Sequence, residues 1–269
     1  MFGARSAQRG DRCSAVTARF PVLREVTSLR RFGTVIFDCD STLSSIEGIE
    51  ELAVAHRDEI ARLTESAMRG EVALEDVFAR RLELVRPSRA DVARLGDRYV
   101  EKLVPDAKAL VTALLGEGIM VRVMSGGLRP AVLVLARFLG LTDNLVAAVD
   151  ILFDETGKYA DFDHTSPLAK SGGKRVQLER WLPSLIRPIM FVGDGITDLE
   201  ARPPADSFVA YTGVALRSEV AAAADVVVRS RSLAPVLSLA LGGVPPEDPS
   251  SLELFVRGTG LMTAADIPG

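Results

Sequence analysis

Two aspartates, Asp38 and Asp40, end an apolar segment near the start of the chain. The segment, residues 34–37, is rich in β-branched and aromatic side chains, which predicts a buried strand. Packing does not explain the two carboxylates, because neighbouring anions repel each other and resist the loss of water. A cation should lie beside them, and the simplest candidate is a hard divalent metal ion with oxygen ligands, Mg²⁺ foremost. The alternative is a strand that ends in a solvated acidic turn.

A second pair of aspartates follows a later apolar segment. Asp194 lies between two glycines, and Asp198 comes four residues later, so both side chains can face the same point. In open α/β sheets, ligands bind beyond the carboxyl ends of the strands, on one rim. The predicted metal ligands are therefore the aspartates that follow these two segments: Asp38, Asp40, Asp194 and Asp198.

Groups suited to holding a phosphate follow two further segments. Ser125 offers a hydroxyl, and Gly126 and Gly127 let backbone N–H groups approach an anion closely. Lys174, after two glycines at a predicted helix start, can neutralise phosphate charge and hold two carboxylates apart. A P-loop is excluded, because Arg175 follows the lysine and the upstream glycine of that motif is missing. Taken alone, each motif could be an ordinary glycine turn or a solvated lysine, but their convergence on one rim favours a site.

Alternating strands and helices position these residues. From residue 105 onward, apolar runs of strand length alternate with segments of helical spacing. This alternation predicts an α/β fold with a Rossmann-like parallel sheet and helices on both faces. The predicted strands are 34–37, 119–124, 145–153, 188–192, 207–211 and 225–228. The predicted helices of this part are 107–115, 128–139, 174–182, 197–202 and 233–241.

Residues 44–103, directly after the acidic strand end, show helical spacing throughout. Four predicted helices with short connections make a small bundle, placed where a lid over the site would be inserted. Ser88 and Asp91 predict a capping box at the start of the last of them. Arg81 lies within the apolar stripe of the third, where a guanidinium is costly unless it meets an anion. Snorkelling outward, or pairing with a structural acid, is the alternative for Arg81.

The chain thus divides into four predicted parts: an arm at 1–31, a core at 32–43 and 104–241, a cap at 44–103 and a tail at 242–269. The arm is rich in arginine and poor in acids, as organelle transit peptides are. Because it lacks a clear helical apolar stripe, a disordered extension is favoured over organelle import. The tail carries Pro245, Pro246 and Pro249 and has weak periodicity, which predicts a mostly disordered or loosely docked segment.

The whole-chain composition narrows the function classes. The 269 residues are 48% hydrophobic and 25% charged, as in ordinary globular proteins, and suffice for one large or two modest domains. The net charge of −4 does not suggest nucleic-acid binding. No apolar run approaches the roughly 20 residues that span a membrane. Cys13 and Cys39 are interpreted as free thiols in a reducing compartment, so a cytoplasmic location is predicted.

In chain order, the motifs resemble the four that mark the haloacid dehalogenase superfamily of phosphotransferring hydrolases. They are Asp38-Cys39-Asp40-Ser41-Thr42-Leu43, Ser125-Gly126-Gly127, Lys174 and Gly193-Asp194-Gly195-Ile196-Thr197-Asp198. Within that superfamily, further segments resemble the phosphoserine phosphatase family: 47–52, 67–70, 81–82, 171–174, 198–201 and 203–206. The resemblance covers about residues 34–241.

The resemblance implies a haloacid dehalogenase-like core with an inserted helical cap, and a mechanism. Asp38 would be a nucleophile that forms an aspartyl-phosphate, and Asp40 a general acid and base. Mg²⁺, Ser125, the glycine amides and Lys174 would stabilise the transferring phosphoryl group. Cys39 departs from the family, because its position is more often aromatic or aliphatic.

The implied reaction converts O-phosphoserine to serine and phosphate, the last step of serine biosynthesis. Glu47 matches the family's acid for the substrate ammonium, and Arg81 matches the arginine that binds the substrate carboxylate. Met68 and Thr197 complete the implied substrate contacts, Thr197 replacing an asparagine found in some members. Leu74 stands where the family often has a phenylalanine that closes over the substrate, which bears on fine specificity.

Two alternatives for the function stay open at this point. One is a phosphatase or phosphotransferase for another small phosphomonoester, such as phosphohomoserine, phosphocholine or a sugar phosphate. The other is a non-catalytic phosphate-binding module, which is disfavoured because both Asp38 and Asp40 are present. The predicted partner is a small molecule, without nucleic acid or membrane, and the protein is predicted to be a monomer or a homodimer.

Overall fold

The computed structural model describes residues 30–53, 58–60, 62–63 and 74–262, with the backbone alone at 74 and 75. The strands in these ranges are β1 Thr34–Phe37, β2 Met120–Leu128, β3 Val146–Val149, β4 Ile151–Phe153, β5 Tyr159–Phe162, β6 Ile189–Gly193, β7 Ser207–Tyr211 and β8 Val226–Val228. The helices are α1 Gly48–Leu52, α2 Leu74–Val85, α3 Arg89–Glu101, α4 Ala107–Gly116, α5 Arg129–Phe138, α6 Gly173–Trp181, α7 Ile196–Leu199, α8 Ser218–Ala223, α9 Pro235–Ala240 and α10 Pro249–Gly260. Within the described ranges, no helix has the length and apolarity needed to cross a membrane.

Six strands form one parallel sheet, in the order β3-β2-β1-β6-β7-β8. β1 lies inside the sheet, where Thr34 is opposite Met120 of β2 on one side and Ile189 of β6 on the other. All four residues of β1 are buried, as expected for a strand covered on both faces. The predicted α/β fold with a parallel sheet is confirmed. Its consequence is that the carboxyl ends of β1, β2 and β6 lie on the same rim.

The prediction of a single strand over 145–153 is wrong. β3 ends at Val149, and β4, which begins at Ile151, leaves the sheet and pairs antiparallel with β5. Asp150, between the two strands, is exposed, and Leu152 is 51% exposed, whereas a strand inside a parallel sheet is buried. An apolar run cannot by itself show where an edge strand leaves the sheet.

The prediction of a mostly disordered or loosely docked tail is wrong for α10. This helix begins at Pro249, and the side chain of Asp248 caps it by accepting a hydrogen bond from Ser251 N at 2.9 Å. α10 packs against α9 and α4 and buries Leu254 and Phe255. Proline suits the first turn of a helix, so in this chain it begins a helix instead of marking disorder.

The described part of the predicted cap contains α1, α2 and α3, while the second predicted helix lies largely outside the described residues. The capping box of α3 is confirmed: Ser88 Oγ accepts from Asp91 N at 3.2 Å, and Asp91 Oδ2 accepts from Ser88 N at 2.8 Å. α3 packs along α5 of the core and buries Val92 and Leu95. The last helix of the predicted cap is therefore attached directly to the core.

Candidate active site

Lys174 lies on the rim between two carboxylates. Its side chain leaves the first turn of α6, and Nζ lies 2.8 Å from Asp38 Oδ1 and also pairs with Asp198 Oδ1. All three side chains are buried. Burial alone would lower the pKa of Lys174, but the charges of Asp198 and Asp38 raise it above its ordinary value. The lysine is therefore charged at neutral pH and lies between the two acids.

Asp38, Asp194 and Asp198 form a buried group in which one carboxylate oxygen of each lies within 4.8 Å of the others. Carboxylate oxygens at this spacing suit a hard divalent cation. Burial, with the charge of Asp198, raises the pKa of Asp194 to about 6. The same two causes raise the pKa of Asp38 well above its usual range. A cation would relieve this crowding of buried acids, so the three residues fit a metal ion.

The side chain of Asp40, the fourth predicted ligand, lies outside that group. Asp40 Oδ1 accepts hydrogen bonds from Tyr99 Oη at 2.7 Å and from Gly48 N at 2.6 Å, and Oδ2 accepts from Ser125 Oγ at 3.3 Å. Burial raises the pKa of Asp40, although the hydrogen bonds from Tyr99 and Gly48 act in the opposite direction. A carboxyl that keeps its proton more readily than an exposed aspartate suits general acid catalysis.

A cavity of about 220 Å³ lies between the rim and residues of the predicted cap. The rim residues that line it include Asp38, Asp40, Gly126, Gly127, Lys174 and Thr197. The cap residues that line it include Glu47, Val77, Phe78 and Arg81. Ser125 stands beside the glycines, and its Oγ accepts a hydrogen bond from Gly127 N at 2.9 Å. The structure thus brings most of the predicted site residues to one cavity or to its edge.

Glu47 and Arg81 bring opposite charges to the cap side of this cavity. Glu47 precedes α1, and its Oε1 accepts a hydrogen bond from Ser41 Oγ at 2.7 Å. Burial and the charge of Asp40 raise the pKa of Glu47 to about 7. Burial lowers the pKa of Arg81, which lies on α2, and the charge of Glu50 opposes this shift. An acid and a guanidinium in one cavity suit a ligand that carries both charges.

Comparison with known proteins decides the family. The family model of haloacid dehalogenase-like hydrolases matches residues 33–201, more than half of the chain. The chain belongs to the haloacid dehalogenase-like hydrolase family. The resemblance of its four motifs is thereby confirmed, and the parallel sheet of the structure is the fold that this family implies.

Relatives place the chain within this hydrolase family. The chloroplastic phosphoserine phosphatase of Arabidopsis thaliana is 38% identical over 208 residues, which are 75% of this chain and 70% of that protein. The phosphoserine phosphatase of Bos taurus is 38% identical over 189 residues, 69% of this chain and 84% of that protein. A solved structure of a phosphoserine phosphohydrolase-like protein from Francisella tularensis is 25% identical, with a TM-score of 0.66, and the match covers 73% of this chain and 95% of that one. The predicted membership of the phosphoserine phosphatase family is confirmed.

Two residues that contact this hydrolase site are not indicated by the motifs. Arg217, between β7 and α8, places Nε 2.9 Å from Asp194 Oδ2 and Nη2 3.4 Å from Glu47 Oε1. Tyr99, whose hydroxyl donates to Asp40, occupies an apolar position of α3. Because ligands bind beyond the carboxyl ends of parallel strands, the segment after β7 is expected near the site. This expectation does not identify Arg217 within the segment. Met68, a predicted substrate contact, lies outside the described residues.

Proposed function

We propose that this protein is a Mg²⁺-dependent phosphatase that hydrolyses O-phosphoserine through an aspartyl-phosphate on Asp38. The observation that carries the proposal is the composition of the cavity between the rim and the predicted cap. It combines Asp38, Asp40 and Lys174 with the opposite charges of Glu47 and Arg81. The relatives named phosphoserine phosphatase support the same substrate.

The proposed reaction has two steps, in which Asp38 and Asp40 act on opposite sides of the phosphorus. In the first, an Asp38 oxygen bonds to phosphorus, the bond to the serine oxygen breaks, and Asp40 donates a proton to that oxygen. In the second, Asp40 takes a proton from the water that attacks the aspartyl-phosphate, which releases phosphate and restores Asp38. The raised pKa of Asp40 favours its protonated form for the first step.

Positive charge and hydrogen-bond donors stabilise the phosphoryl group during transfer. Lys174 is charged and 2.8 Å from Asp38, and the Ser125 hydroxyl and the amides of Gly126 and Gly127 are beside the cavity. Asp38, Asp194 and Asp198 would hold Mg²⁺, which when bound supplies further positive charge for the phosphate oxygens.

Glu47 and Arg81 would select the substrate by its two charged groups. Glu47 would accept the ammonium of phosphoserine, and Arg81 would pair with its carboxylate. Phosphocholine and sugar phosphates lack the carboxylate, so this arrangement disfavours them. Phosphohomoserine carries both groups and is the second candidate substrate. Hydrolysis of phosphoserine would complete serine biosynthesis. A cytoplasmic location and a monomeric or homodimeric state stay predictions.

The direct test is phosphate release from a panel of phosphomonoesters. We expect phosphoserine to be hydrolysed faster than phosphohomoserine, phosphoethanolamine, phosphocholine and glycerol phosphate in the presence of Mg²⁺. EDTA should stop turnover, and added Mg²⁺ should restore it. A preference for an ester without the carboxylate would contradict the proposed substrate, and activity that resists EDTA would contradict the metal dependence.

Arg81→Ala should reduce kcat/KM for phosphoserine. The lost transition-state stabilisation should be about 2–4 kcal/mol, on the scale of a lost charge-assisted pair. The loss should be far smaller for phosphoethanolamine, because that ester has no carboxylate for Arg81 to bind. Arg81→Lys should rescue little, since an ammonium cannot form the planar bidentate fork. Initial rates on both esters measure the difference.

Arg80→Ala is the matched control, because Arg80 is the neighbouring residue on α2 and its side chain is exposed. We expect it to leave both rates nearly unchanged. Equal losses on both esters in Arg81→Ala, with a lowered Tm, would assign Arg81 a structural role. The serine specificity would then rest on the relatives alone.

A further inference from the structure

Tyr99 contacts the proposed general acid from a helix of the predicted cap. Its hydroxyl donates a hydrogen bond to Asp40 Oδ1 at 2.7 Å, and the side chain is 0% exposed. The same oxygen accepts from Gly48 N at 2.6 Å, whereas Asp40 Oδ2 has a longer contact of 3.3 Å with Ser125 Oγ. One oxygen of Asp40 is therefore held by two short hydrogen bonds, and the other is left for proton exchange.

The backbone around the Tyr99 hydroxyl leaves space for it at two points. A Cβ atom at residue 48 would lie 2.0 Å from Tyr99 Oη, which is too close for any residue other than glycine. A Cβ atom at residue 127 would lie 3.2 Å from Tyr99 Oη and 3.1 Å from Asp40 Oδ2. Gly48 is therefore required for the tyrosine to reach Asp40. The hydroxyl is enclosed by the start of α1, the end of β2 and the loop after β1.

Helix α3 holds Tyr99 relative to the core. It packs along α5, and Ser44 Oγ donates a hydrogen bond to the Tyr99 carbonyl at 3.1 Å. Leu43, in the loop that follows Asp40, accepts a hydrogen bond from Val104 N at 2.9 Å just after α3. These contacts connect α3, which carries Tyr99, to the loop that carries Asp40. The Tyr99 hydroxyl is therefore held beside Asp40 by contacts between α3 and the loop after β1.

We propose that Tyr99 is a positioning residue for proton transfer, holding Asp40 Oδ1 so that Oδ2 carries the proton that is donated to the leaving group. The proposal rests on the function proposed above. As Asp38 bonds to phosphorus, the electron pair of the breaking P–O bond stays on the leaving oxygen, which takes the proton from Asp40 Oδ2. Tyr99 keeps its own proton, and its hydrogen bond stabilises the carboxylate that forms on Asp40.

The test compares two leaving groups in Tyr99→Phe, which removes the hydroxyl and keeps the buried ring. We expect kcat/KM for phosphoserine to fall about tenfold, a part of the roughly 10²–10⁴-fold that general acid catalysis contributes. For 4-nitrophenyl phosphate, whose phenolate leaves without a proton, we expect a change of less than about twofold. A merely structural role would slow both esters alike, because kcat/KM for both covers the same attack by Asp38.

Tyr211→Phe is the matched control. Tyr211 is also 0% exposed, and its hydroxyl donates to the Arg231 carbonyl at 2.6 Å. This variant should lower Tm by a similar amount without changing the ratio of the two kcat/KM values. Equal slowing of both esters by Tyr99→Phe, or slowing of neither, would overturn the inference.

A failure of the proposed function can be told apart from a failure of this inference. If the unaltered protein fails to hydrolyse phosphoserine, the proposed substrate is wrong. An alkyl ester that the protein does hydrolyse, such as glycerol phosphate, then replaces phosphoserine in the same comparison of leaving groups.

Discussion

Asp38→Asn is expected to abolish phosphate release from phosphoserine while the protein stays folded. The asparagine amide has the shape of the carboxylate but cannot form the acyl-phosphate that the proposed mechanism requires. The expected loss is roughly 10⁴–10⁶-fold, on the scale for removal of a covalent nucleophile. Burial and Asp198 raise the pKa of Asp38 well above its usual range, so losing its charge removes repulsion as well as the pair with Lys174. We therefore expect little change in Tm.

Beryllofluoride supplies a second readout of the same role. Together with Mg²⁺ it mimics a phosphoryl group on an aspartate, so it should inhibit the unaltered protein and raise its Tm. The Tm of Asp38→Asn should not respond to it. Asp97→Asn, on the exposed side of α3, is the matched control and should keep full activity. Full activity of Asp38→Asn would contradict the whole mechanism.

The site residues at the carboxyl ends of β1, β2 and β6 could be predicted from the sequence, because their motifs directly follow strands. β1 pairs in parallel with both β2 and β6, so their carboxyl ends lie side by side. Asp38, Ser125 and Asp194 come together for this reason, although they are far apart in the chain. The arrangement follows from strand order and chain direction, both of which the alternation of strands and helices constrains.

Tyr99 and Arg217 could not be predicted in the same way, because their roles depend on partners that are distant in sequence. Tyr99 shares the spacing of the apolar residues of α3, and a pattern of this kind indicates a core residue. The folded chain places its hydroxyl beside Asp40, which is 59 positions away. Arg217 lies in the segment after β7, where the side chain is 46% exposed and still pairs with Asp194. Spacing alone does not identify such contacts.

Lys174→Met is expected to reduce both activity and stability, because it removes the cation that Asp38 and Asp198 share. Methionine has a similar length but leaves two buried carboxylates without their partner. Breaking a buried ion pair in this way costs about 3–5 kcal/mol of unfolding free energy. The loss of one preorganised charge beside the phosphoryl group should also lower kcat by roughly 10²–10³-fold. Urea unfolding in EDTA measures the first effect, and phosphate release with Mg²⁺ measures the second.

The pH dependence of the stability loss identifies its cause. The charge of Lys174 lowers the pKa of Asp38 against the effects of burial and Asp198, so removing it should raise that pKa further. A carboxyl whose folded-state pKa lies above its unfolded value contributes stability at low pH and loses it as the pH rises through the folded-state pKa. The destabilisation of Lys174→Met relative to the unaltered protein should therefore be larger at about pH 8 than at about pH 5.

Arg175→Met separates this effect from the loss of a cation on α6 in general. Arg175 is the next residue of the helix, and it pairs on the surface with Glu179 at 3.1 Å, with its side chain 56% exposed. An exposed pair of this kind contributes about 0–1 kcal/mol, so the control should unfold almost as the unaltered protein does at both pH values. If both variants lost the same small amount of unfolding free energy, Asp38 and Asp198 would not need Lys174 in the folded protein. In that case its effect on activity would have to come from contact with the phosphoryl group alone.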